Sequence, residues 1–275
     1  MRLRRLLKDG KINALTMSYD DGVLEGDRHL IEIFNKYGVK GTFNLNGAKY
    51  DEGGKYADIK DEIRELYRGH EIALHGYHHP FHNRLPREEM IYELQKCKQV
   101  LETMTDYPVR GMAYTFGAFN EELIGVLDML GVKYSRAGKT TDSHYFPERF
   151  TEWHPNYHHN GPILDGLVKM VESKERRDLA ILYVYGHSYE FDNPTPKRTW
   201  EEMEEFCKKA YEYRDKLWCA TNIELYDYWM AMKRIEISYE RKMFYNPSNI
   251  SVWMAIDEVP HELKPGVTII DWDKE

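Results

Sequence analysis

Two adjacent aspartates, Asp20 and Asp21, close the run Ser18-Tyr19-Asp20-Asp21-Gly22, and His75-Gly76-Tyr77-His78-His79-Pro80 packs three histidines into five residues. Neighbouring residues at a strand end point in different directions, so two carboxylates can take two roles. One can bind a cation while the other stays free to accept a proton. Asp-Asp-Gly is also a good turn sequence, and a polar turn is the plain alternative. His75 and His79 are four apart and would face one side if a helical turn followed the strand. Two imidazoles and a carboxylate form a ligand set for catalytic zinc that leaves a position for water; the same set suits non-haem iron. His78, three from His75, competes with His79 for this place. Gly186-His187-Ser188 ends another apolar run. Alone, His187 reads as a hydrogen-bonded structural histidine; beside the other two clusters it is a candidate general acid. His144, His154, His158 and His159 offer a second metal cluster with Asp142 or Asp165, but a structural loop role suits their spacing better. Trp153, Tyr114 and Tyr189 lie near strand ends, where an aromatic ring can stack on a sugar or an acyl group.

These residues need elements that bring them together. Residues 14–19, 41–45, 71–74, 110–114, 132–135, 180–185 and 217–220 read as strands, separated by helical periodicity. Leu30, Ile33, Phe34 and Tyr37 share a helix face, as do Met90, Leu94, Cys97, Leu101 and Met104 after Pro86. Asn120 is placed to cap residues 121–130, and Thr199 with Glu202 forms a capping box ahead of 200–213. Residues 223–234 read as the last core helix. Such alternation implies parallel strands with helical crossovers, and about seven units suit a barrel better than an open sheet. The three polar clusters each close a strand, the end where parallel α/β barrels carry their active sites. Beyond Arg234 the pattern changes to short strands near 235–239, 250–255 and 267–271, separated by Asn-Pro and Pro-Gly turns. The expected organisation is therefore an α/β barrel over residues 1–234 and a small C-terminal β appendage over 235–275 packed on it.

Composition limits the partners. An apolar fraction of 42% and a charged fraction of 31% describe a globular chain with no run long enough to span a bilayer. The net charge is -8 and basic residues are not clustered, which argues against nucleic acid. Cys97, Cys207 and Cys219 are odd in number and far apart, as for reduced thiols. With no apolar segment following the basic residues 1–10, the expectation is a cytoplasmic protein.

The motifs resemble those of the polysaccharide deacetylases, the NodB-homology domain or carbohydrate esterase family 4. Residues 18–22 resemble its T-F-D-D-G motif, and residues 75–80 its H-[ST]-x-x-H-P motif with Gly76 in place of Ser or Thr. Thr42-Phe43 fits its second strand, and residues 181–187 its last motif, an apolar strand ending in histidine. The resemblance covers about residues 14–234. It implies a distorted (β/α)7 barrel that removes N- or O-acetyl groups from a carbohydrate with one divalent metal ion, most simply zinc. By motif matching, Asp20 is the base, Asp21, His75 and His79 are the metal ligands, and His187 is the acid. The family's R-x-P-Y-G motif aligns with Ala113-Tyr114-Thr115-Phe116-Gly117, so its base-orienting arginine is missing, and D-x-x-D-W has no clean match near Trp153. Arg136, at the end of the next strand, is expected to supply that charge by a bidentate bond to Asp20, and the backbone N–H of Tyr114 to meet the oxyanion. The substrate expected is a soluble intracellular saccharide or another N-acylated small molecule. A metal-dependent hydrolase of another linear or cyclic amide and a non-catalytic carbohydrate-binding barrel are the alternatives.

Overall fold

The computed structural model describes residues 2–173, 178–240 and 242–270. β1 (Leu3–Leu6) precedes β2 (Asn13–Asp20) and α1 (Leu24–Tyr37). The alternation continues with β3 (Gly41–Leu45), α2 (Lys60–Leu66), β4 (Glu71–Leu74), α3 (Arg87–Glu102), β5 (Gly111–Ala113), α4 (Glu121–Met129) and β6 (Tyr134–Arg136). After a long loop come β7 (Tyr157–His158), α5 (Ile163–Glu172), β8 (Ala180–Gly186), α6 (Trp200–Glu212), β9 (Leu217–Cys219) and α7 (Asn222–Lys233). Short strands close the described chain: β10 (Glu236–Ile237), β11 (Met243–Asn246), β12 (Val252–Ile256), β13 (Val259–Leu263) and β14 (Gly266–Ile269). No helix among the described residues is long and apolar enough to cross a membrane.

The central sheet is parallel and curled, in the order β6-β5-β4-β3-β2-β8-β7, with β9 paired to the first half of β2. This matches the expected α/β class and (β/α)7 architecture, as an open, curled half-barrel. Residues 153–159 bridge its two edges. On one side Trp153 N–H donates to Ser135 O and Ala137 N–H to Trp153 O; on the other, Asn156 N–H donates to Tyr183 O and His159 N–H to Tyr185 O.

Period-2 alternation sorts every central strand into two faces. Leu15, Met17 and Tyr19 of β2, Phe43 and Leu45 of β3, Ile72 and Leu74 of β4, and Leu182 and Val184 of β8 join the main core under the helices. The intervening residues face the inside of the curl. There Thr16 Oγ1 donates to Asn222 Oδ1 at the head of α7, and Asn44 Nδ2 donates to Ser18 Oγ. Glu71 accepts bonds from Tyr134 Oη (2.7 Å), Thr42 Oγ1 (2.9 Å) and the Ile223 N–H (2.9 Å). Continuing each inner face to the strand end delivers Asp20, His75 and Arg136 to the same mouth.

The opposite end of the interior is filled by α7 and the terminal strands. Leu7, Phe244, Val252 and Leu263 pack with Tyr134, Trp153 and Tyr183 in one buried cluster. β1 pairs antiparallel with β12, and β12 with β13, so the chain's beginning and end share a sheet. β10, β11 and β14 form another. The expected last strand reached residue 271, which lies outside the described residues.

Candidate active site

Asp20 is the last residue of β2 and is 3% exposed. The next two residues turn through the left-handed region, Asp21 at φ 75° and Gly22 at φ 59°. This reversal separates the two carboxylates. Gly22 is required there, because an added Cβ would lie 2.5 Å from Tyr50 Oη. Lys49 Nζ fixes the turn from the adjoining segment by donating to the Asp21 carbonyl at 2.5 Å.

His75 follows β4. Its Nδ1 lies 2.8 Å from the Ala113 carbonyl, which can only accept, so Nδ1 carries the ring proton and Nε2 is left as a lone pair. The second ring does not arrive through a helical turn, as the four-residue spacing implied. Gly76 (φ 80°) and His79 (φ 64°) fold the loop back instead. Gly76 stands where Ser or Thr was expected because the His82 ring fills that space, with Cε1 2.5 Å from a built Cβ. His78 turns away: its Nδ1 meets Glu93 Oε1 at 2.6 Å, which leaves His79 to face His75.

The two Nε2 atoms are 3.1 Å apart, and Asp21 Oδ1 lies 3.7 Å from His75 Nε2 and 3.6 Å from His79 Nε2. Tetrahedral zinc with bonds of ~2.0–2.1 Å has ligand–ligand edges of ~3.4 Å. Edge lengths, fixed tautomer and the carbonyl behind His75 fit a divalent cation.

Asp20 stands beside this triad, with Oδ2 3.9 Å from His75 Nε2. Its Oδ1 accepts from Asn44 Nδ2 at 2.8 Å, and its Oδ2 from a terminal nitrogen of Arg136. Burial works against the charged form of Asp20, but Arg136, His75, His187 and Asn44 together hold its carboxyl below the usual range. Arg136 is itself buried, with its guanidinium 4.6 Å over the Tyr185 ring. The bidentate geometry expected of it is not present. One terminal nitrogen meets Asp20, the other donates to Ala137 O at 3.2 Å, and Nε has no hydrogen-bond partner among the described residues.

His187 follows β8 with Nε2 4.0 Å from Asp20 Oδ2. Its Nδ1 lies 3.1 Å from Glu190 Oε1. Burial lowers the pKa of His187, but Glu190 and the charges of Asp20 and Asp21 outweigh it and raise the imidazole above its ordinary value. Glu190 was not singled out from the sequence. Three residues after His187 in a short 3-10 turn, it also accepts from His159 Nε2 (2.7 Å) and Asn160 Nδ2 (3.0 Å). Despite the cost of burial, these donors hold it well below the usual carboxylate range.

His158, His159 and Glu190 present ligand atoms within 4.8 Å of one another. The Asn160 N–H donates to His158 Nδ1 at 3.3 Å, which places that ring's proton on Nε2. The cluster is therefore a cage of donors around a carboxylate. His144 and His154 bond separately, each through Nδ1, to the carbonyls of Ile181 and Lys139.

Two expected contacts are corrected. The Tyr114 N–H donates to Arg136 O at 3.0 Å, so it cannot meet an oxyanion, and the Tyr114 hydroxyl donates to Thr151 O inside the protein. Trp153 is 3% exposed and packed between Tyr134, Phe150 and Tyr183, so it offers no face to a sugar. Of the three expected rings Tyr189 is the exposed one, 5.3 Å from His187, and Phe116, which was not singled out from the sequence, lies exposed 4.7 Å from the His79 ring.

Residues 8–135 match the family model described as polysaccharide deacetylase. A chitin deacetylase from Arthroderma benhamiae is 30% identical over 94 residues, which are 34% of this chain and 24% of that protein. The chain thus matches about a quarter of that relative's length. Among solved structures, the Xyl-CE4 domain of a multidomain xylanase from the hindgut metagenome of Trinervitermes trinervoides aligns with TM-score 0.52 at 15% identity, covering 82% of this chain and 94% of that one. A CE4 family pseudoenzyme from Bacillus anthracis aligns with TM-score 0.50 at 24% identity, covering 81% and 68%. At these identities the structural likeness is one of fold.

Proposed function

We propose that this chain, which belongs to the polysaccharide deacetylase family through residues 8–135, is a metal-dependent hydrolase that removes acetyl groups from the amine or hydroxyl of a carbohydrate. The observation that carries the reading is the convergence of Asp21, His75 and His79 beside a buried, arginine-paired Asp20, with His187 on its far side. Asp21 Oδ1, His75 Nε2 and His79 Nε2 would hold the cation, most simply zinc. When bound there, a divalent cation supplies Lewis-acid polarisation and a water that ionises near neutral pH.

The chain's own groups do the rest. Asp20 is anionic and close to the triad, so it is placed to take a proton from water. Arg136 and Asn44 occupy one site on each of its oxygens and fix its plane. His187 keeps a proton on Nδ1 against Glu190, leaving Nε2 to deliver one to the departing nitrogen or oxygen. An amine leaving group needs that proton, because an amide anion is too basic to depart.

The test is acetate release from a panel of N- and O-acetylated saccharides after zinc loading, with a cyclic ureide panel alongside. Acetate from a saccharide that stops on chelation and returns with zinc supports the reading. Turnover confined to cyclic amides contradicts it.

A further inference from the structure

The loop that carries His79 is held from two sides. From β3 and α3 the bonds reach residues 75–78. Asn46 Nδ2 donates to His75 O at 2.8 Å, and the Gly47 and Ala48 N–H groups donate to Gly76 O and Tyr77 O at 3.1 Å. Glu93 Oε2 accepts from the Tyr77 and His78 N–H groups. Beyond residue 78 the support changes. Thr115, in the turn after β5, donates its hydroxyl proton to Pro80 O, on the residue that follows His79. His79 itself sits at φ 64°, a conformation that a side-chain-bearing residue keeps only where its surroundings enforce it.

Behind Thr115 stands His82. It is 1% exposed, and its Nδ1 lies 3.0 Å from Thr115 Oγ1. The Thr115 proton goes to Pro80, so Oγ1 is the acceptor here and His82 Nδ1 the donor. The other nitrogen, Nε2, is buried without a hydrogen-bond partner among the described residues and lies against Gly76, 2.8 Å from a built Cβ. An orphaned ring nitrogen costs stability, and an apolar side chain would fill the same space without that cost. His82 is therefore kept for its Nδ1 bond. Two departures from the motifs meet at this contact: Gly76 takes the place of Ser or Thr in the histidine motif, and Thr115 that of proline in R-x-P-Y-G. A proline there would have no hydroxyl to offer His82 or Pro80.

We propose that His82 and Thr115 are a positioning pair for His79. The chain of donors from His82 Nδ1 through Thr115 Oγ1 to Pro80 O fixes the peptide behind His79, and with it the direction in which His79 Nε2 meets His75 Nε2 and Asp21 Oδ1. The proposal rests on the reading of that triad as a zinc site.

The test is the zinc affinity of the full chain, by competition with a chromophoric chelator at a temperature where every variant is folded, beside the visible spectrum of the cobalt-loaded protein. Thr115→Val keeps the shape and removes the hydroxyl; its zinc Kd should rise about tenfold and its cobalt bands should shift. His82→Phe keeps a ring, removes the donor and should do the same. Because the two residues act as one chain, the double variant should lose no more than the larger single loss. Thr115→Ser retains the hydroxyl and should match wild type. Should Thr115→Val fail to fold, His82→Phe decides alone. A pair that serves only the fold would lower Tm and leave zinc affinity and the cobalt bands unchanged; that result overturns the proposal, as does an additive loss in the double variant. Wild-type protein that binds no zinc overturns the metal reading and this proposal with it, whereas wild-type zinc binding with unaffected variants overturns the proposal alone.

Discussion

Arg136 and Glu190 stand behind Asp20 and His187, the two groups proposed to move protons, and each makes a prediction at the scale of one residue. Arg136→Lys keeps a charge but loses the planar nitrogens that touch Asp20 and Ala137 together. Turnover should fall about tenfold or more with zinc content unchanged, measured by steady-state kinetics beside metal analysis. Wild-type turnover in this variant would mean that Asn44 alone orients Asp20. Glu190→Gln removes the anion behind His187, so the alkaline limb of the pH–rate profile, which a general acid sets, should move to lower pH; an unmoved profile would assign Glu190 to structure. Residue types and strand-end placement brought out Asp20, Asp21, His75, His187 and Arg136 as candidates, while the choice of His79 over His78 came from the family resemblance and not from spacing. Glu190 was hidden because a carboxylate three residues from a histidine has no meaning until a 3-10 turn places it. Tyr114 was misjudged because strand pairing, which consumes its N–H, cannot be read from a motif.

At the scale of elements, buried turns and buried acids set the stability of the mouth and the interior. Gly22→Ala would place a methyl against Tyr50 and Leu45 at a positive φ. It should cost about 1–3 kcal/mol in urea unfolding and weaken zinc binding by displacing Asp21. Burial raises Glu71 to about 7, against the bonds from Tyr134, Ile223 and Thr42. In the unfolded chain its pKa returns to the ordinary value near 4.3. Between these values the folded state holds a proton that the unfolded state has released, so this group makes stability fall as pH rises from about 4 to about 7. Glu71→Gln should flatten that slope in unfolding midpoints measured across the range; an unchanged slope would place the titration elsewhere, Asp27 being the other buried acid raised to about 7. Most of these elements were legible because β/α alternation and capping boxes are local signals. The helices α2 and α5 and the strands β1, β7, β11 and β13 were not; β1 was hidden because its partner β12 lies far away in sequence, whereas β13 is the return arm of a hairpin with β12.

At the scale of the whole molecule, the terminal strands close the interior that the curled sheet leaves open. The expectation of an appendage beginning at residue 235 rested on a change of periodicity. Leu3–Leu6 gave no matching signal, although β1 pairs with β12 and Leu7 joins the same cluster as Val252 and Leu263. A chain truncated after Arg234 should therefore lose cooperative unfolding, with hydrophobic dye binding before heating, because Tyr134, Tyr183 and Trp153 lose their cover. A truncated chain with a sharp transition would show that the terminal strands are dispensable.

The division of labour between adjacent carboxylates is the centre of this account, and paired metal analysis and kinetics of Asp20→Asn and Asp21→Asn test it most directly. Asp20→Asn should bind one zinc per chain and lose turnover by about 10²-fold or more, whereas Asp21→Asn should lose both zinc and turnover. Zinc lost from Asp20→Asn and kept by Asp21→Asn would reverse the roles, and zinc kept at full stoichiometry by both would contradict the site.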